Sequence, residues 1–311
     1  MTAAFESIDA CWVCDGRDLA PIHDARIDLH EYQTQDPKLA ALTGSTVAIV
    51  RCARCGFAQP ARLPALPNYF DRMYDQRWSD TWIEHEHEAT YKDLIFDDVL
   101  SQLEVRLSDD RRSLLDVGAH AGRFIARARA RGWRADGLEL NPKTAAFAAA
   151  ASGGVVHHAN VFTFDASRAS YDAVTLTDVL EHIPRPRAAL ARVRALLTPG
   201  GWVSIKVPNA PAQLVKERAR AMLRRGYRPS LADNLVHVNH FDARSLREAL
   251  EREGFSRVSV VAAAPELPPG GAASARVDRL LRLSAFHVVR RVPGGVNTPL
   301  AFNLQAYGCR G

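Results

Sequence analysis

Leu114-Leu-Asp-Val-Gly-Ala-His-Ala-Gly-Arg-Phe124 is the stretch whose reading decides the fold of this chain. Leu114, Leu115 and Val117 form a short apolar run, the pattern of a buried strand. Gly118 and Gly122 remove side chains where a backbone must turn sharply or approach a ligand closely. Phe124, Ile125 and Ala128 then recur at helical spacing. Strand, glycine turn and helix in that order aim backbone N–H groups and a helix N-terminus at a bound ligand. The dinucleotide fingerprint G-x-G-x-x-G is not met in this register. Taken alone, the stretch also fits a tight strand-to-helix turn in any α/β domain.

The next segment narrows the ligand. Arg134-Ala-Asp-Gly-Leu-Glu-Leu140 reads as a second strand ending in an acid, Glu139. An acid about 20 residues after such a turn suits a ribose, because one carboxylate can accept both hydroxyl hydrogen bonds. Strand candidates follow at 113–117, 134–139, 154–157, 172–177 and 201–207, with helices near 122–131, 142–151 and 186–197. That alternation predicts an α/β fold, a doubly wound Rossmann-like parallel sheet with helices on both faces. Asp242 and Gly254 bound a helix over 242–253. A strand at 255–262, a basic helix at 275–291 and a last strand at 300–307 complete the pattern.

Composition sets limits. The chain has 311 residues, 47% hydrophobic and 24% charged, ordinary for a soluble globular protein. No apolar run reaches the length of a membrane span. The opening Met-Thr-Ala-Ala-Phe-Glu-Ser lacks a basic region followed by an apolar stretch, so no secretory signal is read there. A cytoplasmic location and no membrane partner are the expectations. The net charge of +5 permits an anionic partner without demanding nucleic acid.

Four of the five cysteines form two C-x-x-C pairs, Cys11/Cys14 and Cys52/Cys55. Paired knuckles present four thiolates to one tetrahedral ion, for which zinc is the usual occupant. Redox pairs or disulfides are the competing readings, and both suit a reducing compartment poorly. With four thiolates the coordination sphere is full, so the metal's role is structural. Thr46–Arg51 reads as a strand leading into the second knuckle. Cys309 reads as an ordinary strand residue. The expected organisation is a zinc module at 1–60, a helical connector at 61–112, and a main domain at 113–311 that carries an inserted basic helical cap near 208–240.

Two further stretches name a family. Tyr171-Asp-Ala-Val-Thr-Leu-Thr-Asp-Val-Leu-Glu-His-Ile-Pro184 is followed by Leu196-Leu-Thr-Pro-Gly-Gly-Trp-Val-Ser-Ile-Lys-Val-Pro-Asn209. With the glycine turn and Glu139, these motifs stand in the order of a class I S-adenosylmethionine-dependent methyltransferase, which the chain resembles over roughly 113–262. The resemblance implies a seven-stranded sheet and a bound S-adenosylmethionine. It implies that Asp116 and the Gly118, Ala119, His120, Gly122, Phe124 turn face the methionine part. It places Glu139 with Leu140 at the ribose, Asn160 with Val161 at the adenine, and Asp178 beside the sulfonium. Tyr74 and Trp78 are candidates to close over the cofactor.

Methyl transfer from a sulfonium needs an oriented acceptor and a base for its proton. His182 in Leu-Glu-His, and His237 with His240 in His-Val-Asn-His-Phe241, are the candidate bases. The chain also resembles the zinc-containing sugar C-methyltransferase subgroup, without its long C-terminal domain. In that subgroup a His-x-x-Tyr-Phe segment carries the proposed base. Here His240 replaces the tyrosine, so deprotonation of a hydroxyl stands beside C-methylation. The expected acceptor is a small molecule such as a sugar, a nucleotide-linked sugar or a secondary metabolite. It would be anionic if Lys216, Arg218, Arg220, Arg224, Arg225 and Arg228 face it. The alternative is an RNA methyltransferase or nucleic-acid-binding zinc protein. The interspersed acids and the absence of an Asn-Pro-Pro-Tyr motif speak against it.

Overall fold

The computed structural model describes residues 5–75, 80–165, 170–267, 270 and 273–311. Five short strands come first: β1 (Phe5–Ser7), β2 (Leu19–Arg26), β3 (Thr46–Cys52), β4 (Ala58–Pro60) and β5 (Arg62–Pro64). β2, β3 and β4 form one antiparallel sheet, and β5 turns back to pair with β1. Helix α1 (Pro37–Ala40) interrupts the β2–β3 connection. Asp36 caps it, accepting the Leu39 N–H, and Pro37 occupies the first turn, where its missing N–H costs nothing. Three helices lead onward: α2 (Tyr69–Asp75), α3 (Asp80–Glu88) and α4 (Asp93–Arg106).

The main sheet then builds as the alternation predicts: β6 (Ser113–Val117), α5 (Arg123–Ala130), β7 (Arg134–Glu139), α6 (Pro142–Ser152), β8 (Val156–His158), β9 (Tyr171–Thr177), α7 (Pro186–Leu196) and β10 (Leu197–Pro208). After it come α8 (Ala210–Leu223), α9 (Ala243–Arg252), β11 (Phe255–Ala262), α10 (Ala273–Arg291) and β12 (Asn303–Arg310). The seven strands lie in the order β11-β12-β10-β9-β6-β7-β8. β12 runs antiparallel to both its neighbours, and the other pairs are parallel. Leu114, Leu115 and Val117 are buried in this sheet.

Three strands differ most from the sequence reading, and of these β10 begins at Leu197 rather than 201. The third strand begins at Val156 rather than 154 because Gly153 ends α6 in a left-handed conformation. Gly154 then packs so tightly on Ile125 and Ala135 that it serves as a contact rather than a ladder residue. The last strand covers 303–310 instead of 300–307. Pro299 has no N–H to donate, and Leu300 and Phe302 point outward in a turn. α9 is capped as expected by Asp242, whose side chain accepts from Ser245 N while Ser245 Oγ accepts from Asp242 N. Cys309 lies buried in β12.

The N-terminal sheets sit on the main domain. One continuous apolar cluster includes Phe57, Tyr69 and Met73 together with Val238, Phe241 and Leu176. Ion pairing of Arg72 with Asp36 ties α2 to the end of α1. No described helix is long and apolar enough to cross a membrane.

Candidate functional site

The glycine turn leaves β6 at the carboxyl edge of the sheet, where an open α/β sheet forms its ligand crevice. Gly118 and Ala119 both donate to the Leu138 carbonyl, each at 2.8 Å, and so fasten the turn to β7. Gly118 has φ +76°, and a Cβ there would lie 2.5 Å from Val179 Cγ2. Gly122 also has φ +76°, and its Cβ would come 2.8 Å from the Ala148 carbonyl, which is backbone and cannot give way. Gly122→Val is therefore expected to destabilise the protein by at least about 2 kcal/mol, combining left-handed strain with a backbone clash. A thermal melt lowered by several degrees would register it.

Glu139 ends β7 beside this turn. Its Oε2 accepts the His120 N–H at 2.9 Å and its Oε1 the Asn141 N–H at 3.0 Å. Burial raises its pKa, against the pull of those backbone donors. Each oxygen keeps a second lone pair for a further donor. Asp116, on β6, is buried and accepts from Thr175 Oγ1 at 2.6 Å. Burial, with Glu139 nearby, pushes its pKa up to about 7.

Two cavities meet here. One, of about 290 Å³, is lined by Asp116, Ala119, Phe124, Glu86, Tyr91 and Arg123. The other, of about 640 Å³, is lined by Glu139, Leu140, Asn160 and Val161 on one side and by His182, Ile183 and Val236 on another. Gly118, His120, Lys92 and Asp178 line both. Asn160 Oδ1 accepts from Phe162 N and Thr163 N, which holds its loop against the cavity. The backbone of Tyr74 belongs to α2. Its side chain and all of Trp78 lie outside the described residues.

Sequence reasoning missed the lysines. Asp178 has φ +57° and binds Lys206 Nζ at 2.5 Å and Lys92 Nζ at 2.9 Å. Burial pushes its carboxyl up, but the two ammonium groups hold it well below the usual range. Lys206 left a trace in the sequence, being a lone charge in the apolar run of β10. Lys92 left none. Burial and the charge of Lys92 bring His120 down to about 4.

The Leu-Glu-His turn is stitched to the segment 236–240. Val238 N and Asn239 N donate to the Glu181 carbonyl, and Asn239 Nδ2 donates to Leu180 and Ile183 carbonyls. This brings the rings of His182 and His237 to 4.8 Å between centroids. His182 Nδ1 lies 2.6 Å from the Val236 carbonyl, which can only accept, so in the neutral ring Nδ1 carries the proton and Nε2 the lone pair. Burial, with His182 and His240 near, brings His237 down to about 3. Glu181 is buried beneath them. Burial and neighbouring Asp178 push it up to about 8, and its Oε2 has no partner among the described residues. One donor atom each from Glu181, His182 and His237 lies within 4.8 Å of the others, so a cation could also be held there.

His240 is placed apart from these two histidines. Its backbone exchanges two hydrogen bonds with Ala58 of β4, and its ring lines neither large cavity. It lines a separate small cavity with His23, Ile49 and Arg51 under the N-terminal sheet. Burial, with His23 opposite, brings it down to about 4. None of the six basic residues from Lys216 to Arg228 lines the two large cavities.

The four cysteines of the knuckles are brought together and buried. Cys11 and Cys55 Sγ are 3.5 Å apart, as are Cys14 and Cys52 Sγ. A disulfide needs about 2.05 Å, whereas thiolates about 2.3 Å from a tetrahedral zinc stand about 3.8 Å apart. The donor set therefore fits such an ion. Gly56, with φ +83°, supplies the turn after Cys55. A Cβ on Gly16 would press to 3.2 Å from two of the sulfurs.

Comparison with known proteins agrees with this geometry. Residues 85–260, more than half the chain, match the model of a methyltransferase domain. Among curated relatives, a ubiquinone biosynthesis O-methyltransferase of Paraburkholderia xenovorans is 34% identical over 90 residues, which is 29% of this chain and 36% of that protein. Its counterpart in Thiobacillus denitrificans is 30% identical over 125 residues, 37% of this chain and 54% of that protein. The chain thus spans well under two thirds of these relatives. Phosphoethanolamine N-methyltransferase 2 of Haemonchus contortus, solved with S-adenosyl-L-methionine, superposes with a TM-score of 0.51 at 14% identity, over 81% of this chain and 62% of that one. The plantazolicin methyltransferase, solved with SAH, gives 0.50 at 10% identity, over 77% and 93%. These two likenesses speak to fold alone. The ordered motifs, the seven-stranded sheet with its cavity at the carboxyl edge, and the family match together show that this chain belongs to the class I S-adenosylmethionine-dependent methyltransferases.

Proposed function

We propose that the chain transfers the methyl group of S-adenosylmethionine to a hydroxyl oxygen of a small-molecule acceptor. The observation that carries this reading is the 640 Å³ cavity. It runs from Glu139 past Gly118 and Asp178 to His182, and its far wall is mainly apolar, with Asn68 and Asp71 as its polar members. That wall comes from Leu63, Leu66, Tyr69 and Phe70, together with Val179 and Ile183. The curated O-methyltransferase relatives support oxygen as the acceptor atom.

Glu139 would hold the ribose hydroxyls, Asn160 and Val161 the adenine, and Asp116 with the glycine turn the methionine part. When bound, S-adenosylmethionine supplies a methyl group already activated by a positive sulfur. The chain's own task is to orient the acceptor and take its proton. Lys206 and Lys92 fix the Asp178 carboxylate, so its charge stays at the junction of the cavities. His237, neutral at pH 7, lines neither cavity itself but stands beside His182, which lines the larger one, and from there accepts the proton. A base held so low is weak, which favours an acidic hydroxyl. Phenols, at about pKa 10, are far better matched than sugar alcohols. The apolar wall suits the face of such a ring. A phenolic or enolic secondary metabolite is therefore favoured over the sugar acceptors. The four-cysteine cluster holds a structural zinc in this reading.

Incubating the chain with methyl-labelled S-adenosylmethionine and a panel of phenolic and sugar acceptors tests the proposal. Label should pass to a phenolic acceptor with matching release of S-adenosylhomocysteine. Failure to bind S-adenosylhomocysteine in calorimetry would overturn the cofactor assignment. Label on sugars alone would overturn the acceptor class. In the same assay Glu139→Ala should weaken S-adenosylhomocysteine about 100-fold, the loss of two hydrogen bonds to a charged group.

A further inference from the structure

The inserted basic segments do not line the active cavities, yet they are not an ordinary solvated face. α8 exposes Val215, Arg218, Ala219, Met222 and Leu223, a stripe at positions i, i+3, i+4, i+7 and i+8. Met222 and Leu223 are 88% and 85% exposed. α10 exposes a similar stripe, Val277, Leu280, Leu281, Ser284 and Val288, at positions i, i+3, i+4, i+7 and i+11. On a helix whose apolar stripe faced the core, these positions would be buried. Here they face outward, edged by arginines.

Charge is concentrated in the same places. Residues 210–228 carry six Lys or Arg against one acid, and 273–291 carry five Arg against one acid. These two segments together hold more positive charge than the net +5 of the whole chain, so the remainder is net acidic. Two copies of such a face would repel each other. Apolar stripes flanked by arginine match a surface that is negative outside and apolar beneath, which describes an anionic bilayer.

The topology puts both helices beside the active site. β12 is antiparallel to β10 and to β11, so β10 and β11 point the same way. Both end at the carboxyl edge, where the cavities open, and each leads into one of the two helices. The turn between α10 and β12 returns to that edge and exposes Leu300 and Phe302. Lys216 of α8 lies 6.0 Å from the Phe302 ring centre, and Gln213 donates to the Phe302 carbonyl. Arg282 of α10 is near enough to lower the pKa of Lys216, after burial and Arg220.

We infer that α8, α10 and the turn at 300–302 form a docking surface for anionic membranes, lying in the headgroup layer with the active-site mouth beside it. The expectation of no membrane partner rests on the lack of a spanning segment. A helix lying in the interface needs none.

The test is flotation of the full chain with phosphatidylcholine vesicles and with vesicles rich in phosphatidylglycerol. At least about tenfold preference for the anionic vesicles is expected. Raising salt to about 1 M, where the screening length falls to about 3 Å, should weaken it. Leu280→Asp with Leu281→Asp should abolish flotation, and Arg276→Glu with Arg279→Glu should reduce it several-fold. Both pairs should leave S-adenosylhomocysteine affinity unchanged, because these residues touch neither cavity. Equal binding to neutral vesicles, or flotation unaffected by the variants, would overturn the inference. So would no flotation at all, or a dimer that the leucine variants split. None of these outcomes bears on methyl transfer itself.

Discussion

Cys52→Ser is expected to strip the chain of about one zinc ion and to cut acceptor turnover by at least about 100-fold, while S-adenosylhomocysteine still binds within several-fold of its usual affinity. The metal side follows from the energetics. A structural zinc contributes about 10–16 kcal/mol in small four-ligand modules, comparable with the whole stability of a typical domain. Oxygen in place of one of four mutually close sulfurs removes a ligand the ion cannot replace from water without opening the knuckle. The catalytic side follows from geometry. β5 pairs with β1 beside the knuckles, and the chain just after it carries Leu66, Tyr69 and Phe70 into the large cavity. Asp116, Gly118 and Glu139 belong to the main sheet and keep their partners. Elemental analysis, calorimetry and turnover on one preparation check the claim. Full metal content in the variant would sink the zinc assignment. Equal loss of cofactor affinity would sink the division of labour.

His237→Ala should lower kcat by about 100- to 10,000-fold, the usual worth of a positioned general base, with little change in cofactor affinity. His240→Ala should have a much smaller effect on kcat, because its ring faces the cavity under the N-terminal sheet. The pH profile gives an independent reading. An ordinary histidine is protonated below about pH 6.5. His237 is held at about 3 by burial and its histidine neighbours, so it remains deprotonated throughout the range from pH 5 to 7. Its own titration therefore produces no acid limb near 6.5. Such a limb, lost in His237→Ala, would show that the base is not held low. A variant with near-normal kcat would remove His237 from the reaction.

The strand-turn-helix at 114–124, the acid at Glu139 and the Leu-Glu-His turn were legible because each is local. Residue type and spacing within a few positions fix the backbone there. The partners of Asp178 were not legible, because Lys92 reaches it from 86 residues away and carries no motif. His237 and His240 look equivalent in sequence. They diverge only once the bridge to Ala58 holds His240 against the N-terminal sheet. The apolar acceptor wall was hidden for a similar reason. Leu66 and Tyr69 read only as part of the helical connector until the module folds back on the sheet. The terminal strand was misplaced because Leu300 and Phe302 look like strand residues and are instead exposed.

The bridge between Ala58 and His240 also has a consequence for synthesis. Residue 58 leaves the ribosome long before residue 240, so the cysteine module must wait, with its inner face bare, while the glycine turn and five sheet strands are made. The Leu-Glu-His turn cannot gain its second histidine before then. Assembly of the histidine pair is thus a late event in the life of the nascent chain.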